Sequence, residues 1–240
     1  MTSLWEDLRY GLRMLGKNSG FAAIAILTLA LGIGATTAIW SAVDGVLLEP
    51  FPYKSANRLA TPSVSFPDEI SITRFPVPIF LDFKEQNHTF EDIIGLAYTG
   101  VHYKRREGTE QLLGAWVTPN TFIFLGIKPL VGREIIQEDG NPGSPAVFVM
   151  SYTLWTRLFN RDPHVLGATM NLNGTQRTLV AIMPPRFRFG DCEIWMPLAL
   201  NRSTFITGFG AQPNEVWTIG RLKRGVSLKA ASADLEVIAK

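Results

Sequence analysis

The longest hydrophobic stretch of the chain lies close to its N-terminus. Between Lys17 and Asp44, 26 consecutive residues carry no ionisable side chain. The 23 residues from 21 to 43 are almost entirely apolar, and as a helix they would extend about 34 Å, enough to cross a hydrocarbon layer of about 30 Å. The pattern therefore predicts one transmembrane helix.

A cleaved signal peptide is the alternative for this stretch, because Arg9, Arg13 and Lys17 would supply its basic start. The apolar region of a signal peptide normally has about 7 to 15 residues and ends in a small-x-small cleavage site. This run is longer, and no Ala-x-Ala sequence closes it. The sequence favours an uncleaved helix.

Charges on either side of the apolar run predict its direction. The basic residues Arg9, Arg13 and Lys17 precede the run, whereas Asp44 and Glu49 follow it. Basic residues collect on the cytoplasmic side of membrane helices. We therefore predict a cytoplasmic N-terminus and an extracytoplasmic domain after about residue 49. The three basic residues would anchor the N-terminus by contact with membrane lipid, and residues 1–20 would form an amphipathic segment.

Small residues recur at intervals of four within the run, at Ala30, Gly34, Ala38 and Ala42. Such spacing forms one helix face on which another membrane helix can approach closely. The alternative is that alanine and glycine are simply common in membrane helices. The face is a candidate packing site for a second helix.

Short strand-like and helix-like patterns alternate irregularly in the rest of the chain. Asn173-Gly174 is a two-residue hairpin signal, Ser151 and Asn120 are placed to cap short helices, and Ser227 precedes a periodic apolar helix. We predict strands at residues 58–66, 93–104, 109–118, 146–150, 168–172, 175–183 and 216–222, and helices at 76–86, 120–124, 151–159 and from 227. This order indicates an α+β domain, which we expect to have two lobes.

Composition narrows the function classes. Residues from Glu49 onward include 20 basic and 18 acidic residues, a balance that gives no reason to expect nucleic acid as a partner. Cys192 is the only cysteine, so the domain must fold without an internal disulfide.

Candidate catalytic and metal-binding residues do not converge on a site. Ser151 lacks the flanking glycines of a hydrolase nucleophile and is better explained as a helix cap. His88, His102 and His164 are far apart without ligand spacing, and Asp191 beside Cys192 disfavours a reactive thiolate. We predict no enzyme activity, no metal and no cofactor.

Several ordered blocks of the sequence are distinctive, namely LTLALGIGATTAIWSAVDGVLL in the apolar run, and FLGIKPLVGREI, DPHVLGATMNLNG and RLKRGVSLKAASADLEVIA after it. Together these blocks resemble the start of a MacB/FtsX-type ABC transporter permease. The later blocks resemble the MacB-like periplasmic core domain, particularly in the duplicated orphan permease branch.

The resemblance implies a bacterial inner-membrane protein with a periplasmic domain. It also implies a cytoplasmic ABC ATPase subunit as partner, together with a second permease subunit or duplicated half. The expected organisation is a cytoplasmic segment (1–20), a transmembrane helix and stalk (21–48) and a periplasmic core domain (49–240), in a chain truncated before further membrane helices. The competing reading is a single-helix, membrane-anchored binding module without transport activity.

Overall fold

The computed structural model divides the chain into two compact units, Met1–Pro50 and Phe51–Lys240. The residues that it describes are 9, 17–43, 53–63, 73–105, 108–200, 202 and 213–238. Most of the predicted amphipathic segment over residues 1–20 lies outside them.

The first unit contains one long helix, α1 (Ser19–Val43), of 25 residues. Its sequence has no proline, and its apolar residues surround the whole helix instead of forming one stripe. Thr28 and Thr36 each donate their hydroxyl to the carbonyl four residues earlier, at 2.8 Å. These polar side chains are therefore satisfied within the helix, as an apolar environment requires.

The second unit is a mixed α+β domain, as the sequence predicts. Its described strands are β1 (Leu59–Ala60), β2 (Arg74–Pro76), β3 (Phe90–Arg105), β4 (Gly108–Val117), β5 (Val131–Gly132), β6 (Val147–Met150), β7 (Thr169–Leu172), β8 (Thr175–Ile182), β9 (Ile194–Pro197) and β10 (Glu215–Leu222). Its described helices are α2 (Val77–Gln86), α3 (Thr121–Leu125), α4 (Tyr152–Phe159) and α5 (Leu228–Ile238).

All ten described strands belong to one sheet, and six of them form a closed ring. The pairings run β3–β4–β9–β6–β8–β7 and return to β3. Strand β3 has 16 residues, so its first half also pairs with β10 while its end pairs with β7. The described domain is one compact unit built on one continuous sheet, in which β3 pairs with both β10 and β7, and its expected division into two lobes stays a prediction.

The Asn173-Gly174 turn closes this ring. Both residues have positive φ, 52° and 78°, as the predicted hairpin requires. The Asn173 side chain accepts a hydrogen bond from the His102 amide at 2.7 Å and donates to the Gly100 carbonyl at 3.1 Å. The turn therefore joins β7 to β8 and also fastens the hairpin to β3.

The sheet carries a hydrophobic cluster on each face. Alternation along β4 divides its residues between the two, with Leu112 and Trp116 in one cluster and Ala115 and Val117 in the other. Helices α2, α4 and α5 cover the first cluster through buried residues including Phe80, Phe83, Leu154 and Leu235. Helix α3 and the loop from Met183 to Phe189 cover the second.

Most predicted elements are confirmed, including the β3–β4 hairpin, helix α2, and helix α4 after its Ser151 cap. The strand predicted over 58–66 is wrong in its described part, where only Leu59–Ala60 pairs, with Arg221 and Gly220. Pro62 explains this, because proline has no N–H to continue a ladder.

The capping role predicted for Asn120 is also wrong. Its side-chain amide instead donates to the Asp92 carboxylate at 2.8 Å and to the Ile93 carbonyl at 3.2 Å. The short helix α3 forms nevertheless and ends at Gly126, whose φ of 74° is the left-handed conformation typical of a helix C-terminus.

Candidate functional site

The small-residue face of α1 is the first candidate interaction site. Ala30 and Gly34 are exposed, and a Cβ atom added at Gly34 would meet nothing within 4 Å. Ala38 and Ala42 lie within the same helix, but their side chains are outside the described set. At 3.6 residues per turn, residues four apart lie along one side of a helix, and packing of this side against a second helix stays a prediction.

The predicted cytoplasmic anchors are described only in part. Arg9 and Lys17 are both helical and exposed, and Lys17 lies two residues before α1 begins. Arg13 lies outside the described residues. An exposed cation next to an apolar helix is well placed to reach the polar surface of a bilayer.

Helix α1 has the length and composition of a membrane span. Ser19–Thr37 has a mean hydropathy of 1.9, and every described side chain from 21 to 37 except Ala22 is exposed. A soluble domain would bury such a surface, because a contiguous apolar patch of this size in water is rare. We therefore describe α1 as a candidate membrane helix.

The second unit has a notable junction at its start, where Arg221 of β10 holds the incoming segment. Arg221 is only 4% exposed, and its guanidinium donates to the carbonyl of Lys54 at 2.8 Å and to that of Phe124 in α3. It also lies over the Phe124 ring, 4.2 Å from the centroid. One side chain thus connects three segments: residues 53–55, α3 and β10.

Further contacts strengthen this junction. The Lys54 amide donates to the Leu125 carbonyl at 2.9 Å. Arg58 donates to the Leu222 carbonyl at 2.9 Å and pairs with Glu91. The hydrogen bond from Arg58 lowers the pKa of the Glu91 carboxyl from its ordinary value. The start of the domain is therefore attached to β10 at Lys54, Arg58 and β1, and to α3 through the Lys54 amide.

The residues with possible chemistry have structural roles. Ser151 accepts a hydrogen bond from the Leu154 amide at 3.1 Å, which confirms the capping role. The Cys192 thiol is buried, and burial, reinforced by the neighbouring Asp191 carboxylate, raises its pKa to about 12. Asp139 accepts two hydrogen bonds from Arg133, at 2.6 and 2.8 Å. These groups lie in separate places and do not form a common site.

The three histidines are also separated. His88 approaches Asp234 of α5 with 3.4 Å between Nδ1 and Oδ1, and His164 lies 2.8 Å from Asp162. The His102 amide bonds to the hairpin turn. Within the described ranges, no group of three His, Cys, Asp or Glu residues is arranged to hold a metal ion.

Comparison with known proteins accounts for both units. The profile of the MacB-like periplasmic core domain matches residues 22–238, which includes the apolar helix and the α+β domain. The fold is similar to the periplasmic region of MacB from Actinobacillus actinomycetemcomitans, with a TM-score of 0.55, 13% identity, and coverage of 76% of this chain and 84% of that one.

A domain assigned to a permease protein from Porphyromonas gingivalis is similar to the same extent. Its TM-score is 0.56 at 12% identity, with coverage of 77% of this chain and 84% of that one. At these identities the similarity shows the fold alone. No curated protein sequence is significantly similar to the chain.

The candidate membrane helix, the fold and the profile match together define a component of an ABC-type transporter permease. The chain belongs to the family of MacB-like periplasmic core domains. These are parts of inner-membrane permeases, they are not enzymes of the ordinary kind, and they work with a cytoplasmic ABC ATPase.

The sequence did not reveal the Arg221 junction. Residues 216–222 predict a strand, but an arginine in a strand normally indicates an exposed position. Only the three-dimensional contact with Lys54 and Phe124 shows that this one is buried. The alternation of side chains along β10 was the available signal. It places Arg221 on the same face of the strand as the apolar residues Trp217 and Ile219.

Proposed function

We propose that the chain is the N-terminal portion of a permease subunit that couples ATP hydrolysis on a partner ATPase to movement of its periplasmic domain. In this proposal α1 crosses the inner membrane with Arg9, Arg13 and Lys17 on the cytoplasmic side, in contact with lipid. The residues after about 49 face the periplasm. The observation that carries the proposal is the junction at Arg221, which attaches the start of the domain to the sheet.

The mechanical argument begins at this junction. The chain enters the domain at residues 53–60 and leaves it through β10 and α5, and the two ends are paired directly through β1 and β10. A displacement applied at the start of the domain therefore acts on β10 without first deforming the ring. Because close-packed interiors transmit strain with little compression, the sheet would move largely as one body.

Within the membrane, we propose that Ala30, Gly34, Ala38 and Ala42 pack against a helix of a second permease subunit or a duplicated half. Replacing Gly34 with leucine should weaken this association, because the large side chain separates the helix backbones. A matched control is Leu29→Ile, which changes a large exposed side chain on the opposite side of the same helix without changing its volume. Fluorescence energy transfer between labelled chains in lipid vesicles measures the association of both variants.

The topology is tested with a membrane-impermeant maleimide on intact cells. The native Cys192 is buried and should remain unlabelled. A cysteine introduced at the exposed Glu138 should be labelled in cells with a permeable outer membrane, and one introduced at Thr2 only after lysis. Recovery of the chain in the soluble fraction, or the opposite labelling order, would contradict the proposal.

The coupling step needs a separate measurement in membranes that contain the ATPase. An environment-sensitive dye at position 138 should change its emission when ATP is added and remain changed with a non-hydrolysable analogue. A domain that binds its ligands but shows no response to nucleotide would favour the single-helix binding module instead.

A further inference from the structure

A shallow groove lies on the outer face of β3 and β4, beside the turn at residues 190–192. Its lining includes Tyr98, Gly100, Leu113, Gly190, Asp191 and Cys192. The groove has a volume of about 490 Å³ and is open along its length. It belongs to the second unit alone.

Two large side chains form its walls and a glycine forms its floor. Tyr98 is 52% exposed and Leu113 57% exposed, although both lie in the interior of paired strands. Gly100 lies opposite Leu113 in the ladder, and a Cβ atom there would meet only the Gln111 amide nitrogen, at 3.6 Å. The space above Gly100 is therefore open to a side chain from another molecule.

Tyr98 is held in position despite its exposure. Its ring meets Trp217 edge-on with 5.2 Å between centroids. Gly190 lies so close that an added Cβ atom would be 2.7 Å from the tyrosine ring. A fixed aromatic ring loses little conformational entropy when a ligand binds, which favours recognition.

The groove has a negative rim. Among the described residues that line it, Asp191 is the only one with a charged side chain. Burial raises the pKa of the Tyr98 hydroxyl, and the neighbouring Cys192 and Asp191 raise it further, so Tyr98 stays uncharged and Asp191 supplies the charge of the rim. Arg186 and Arg188 lie on the preceding loop but do not line the groove. A positively charged group would therefore be attracted to its rim.

We propose that this groove binds an extended peptide segment of an extracytoplasmic protein in which a lysine or arginine is next to an apolar residue. The cation lies against Tyr98 and Asp191, where an aromatic ring and a carboxylate both attract it. The apolar side chain occupies the space above Gly100 and contacts Leu113. This interaction goes beyond the coupling function and does not depend on an ATPase.

The open shape favours a peptide over a small molecule as the occupant. Sites for small molecules are usually enclosed and cover most of the ligand surface. This groove can cover only one or two side chains, so its occupant must gain the rest of its affinity from contacts along the neighbouring surface. Charge complementarity with Asp191 selects a basic segment.

The test uses the full chain in nanodiscs of phosphatidylcholine, a lipid without net charge that does not attract cationic peptides. The probe is a fluorescein-labelled peptide, Gly-Ser-Lys-Phe-Lys-Leu-Ser-Gly, and fluorescence anisotropy measures its Kd. Matched peptides replace both lysines with glutamate, or replace phenylalanine and leucine with serine. Both should bind at least about tenfold more weakly.

Two variants of the groove and two controls locate the binding. Asp191→Asn removes the charge and should weaken binding about two- to fivefold. Gly100→Val fills the floor, where the added Cβ atom makes only an ordinary contact, and should weaken binding about tenfold or more while keeping the fold, as the melting temperature will show. Ile123→Ser and Glu138→Gln change exposed residues outside the groove lining and should leave the Kd unchanged.

Three results would overturn the proposal. The first is equal binding of the lysine and glutamate peptides. The second is unchanged binding by Gly100→Val. The third is that tetraphenylphosphonium, a small amphipathic cation, displaces the labelled peptide as well as the unlabelled peptide does, which would make the groove a small-molecule site.

Discussion

Replacement of Arg221 by methionine is the most direct test of how the start of the domain is held. Methionine keeps much of the aliphatic side-chain volume over the Phe124 ring but removes all five N–H donors. The carbonyls of Lys54 and Phe124 then lose their bonds to the guanidinium. The variant therefore separates hydrogen bonding from packing.

The expected loss follows from the burial of these groups. The Phe124 carbonyl belongs to a residue only 2% exposed, whereas the Lys54 bond is half-buried. A buried acceptor left without a donor costs about 1–3 kcal/mol, and a half-buried one less. The substitution also removes the cost of burying the guanidinium, whose Nε has no partner within the described structure, and this gain offsets part of the loss. We expect the free energy of unfolding to fall by about 1–3 kcal/mol.

Urea unfolding in detergent micelles, followed by tryptophan fluorescence, measures this change. Trp195 and Trp116 are buried in opposite clusters and report on both faces of the sheet. Arg224→Met is the control, since Arg224 is exposed, and it should shift stability by no more than about 0.5 kcal/mol. Hydrogen exchange should also show faster exchange at residues 53–58 in the Arg221 variant.

The reasoning would be refuted by an Arg221→Met variant as stable as the wild type, with unchanged exchange at residues 53–58. Buried charges have sometimes been replaced by apolar residues without loss. Such a result would mean that the desolvation of the guanidinium balances its two hydrogen bonds and that β1, Arg58 and the Lys54 amide hold the start of the domain without it.

Two other changes test the packing and the electrostatics of the domain. Gly132 and Gly143 have similar φ values, 89° and 86°, but a Cβ atom at Gly132 would lie 2.1 Å from the Val180 carbonyl, whereas at Gly143 it would meet nothing. Thermal unfolding should therefore show a much larger loss for Gly132→Ala, by about 2 kcal/mol or more, and equal losses would contradict the geometry. Burial raises the pKa values of both Cys192 and Tyr53 to about 12 in the folded protein, from 9.0 and 10.0. Since the unfolded chain releases these protons at lower pH than the folded protein does, the free energy of unfolding should be unaffected below pH 9 and fall between about pH 9 and 12. The Cys192→Ala variant should show a smaller fall. An alkaline stability profile identical to that of the wild type would contradict the role of Cys192.

Local signals predicted much of the domain because they depend on neighbouring residues only. Asn173-Gly174 needs positive φ at two adjacent positions, and Ser151 caps the helix that follows it directly. Both predictions are confirmed. The prediction for Asn120 was wrong because its side-chain amide donates to the Asp92 carboxylate, 28 residues earlier in the chain. A pattern of neighbouring residues does not reveal a contact at that separation.

The interaction sites also divide into one that neighbouring residues predict and one that depends on distant contacts. The apolar helix could be predicted from composition, and its small-residue face remains a prediction. The groove could not be predicted, because Tyr98 and Leu113 have the apolar character of buried strand residues. Their exposure depends on the position of the turn at residues 190–192, which the sequence does not specify.

The closed ring has a consequence for the solubility of the domain outside the membrane. Exposed strand edges act as templates for aggregation, and proteins protect them by shortening or covering them. In the described part of the sheet, the strands that end it are β1, β2 and β5, with two, three and two residues. Such short end strands offer few backbone groups to a neighbouring molecule. The longer open edges of the described sheet are residues 97–102 of β3 and 108–113 of β4, which pair only with each other's strand, so strand exchange with another copy would have to begin there.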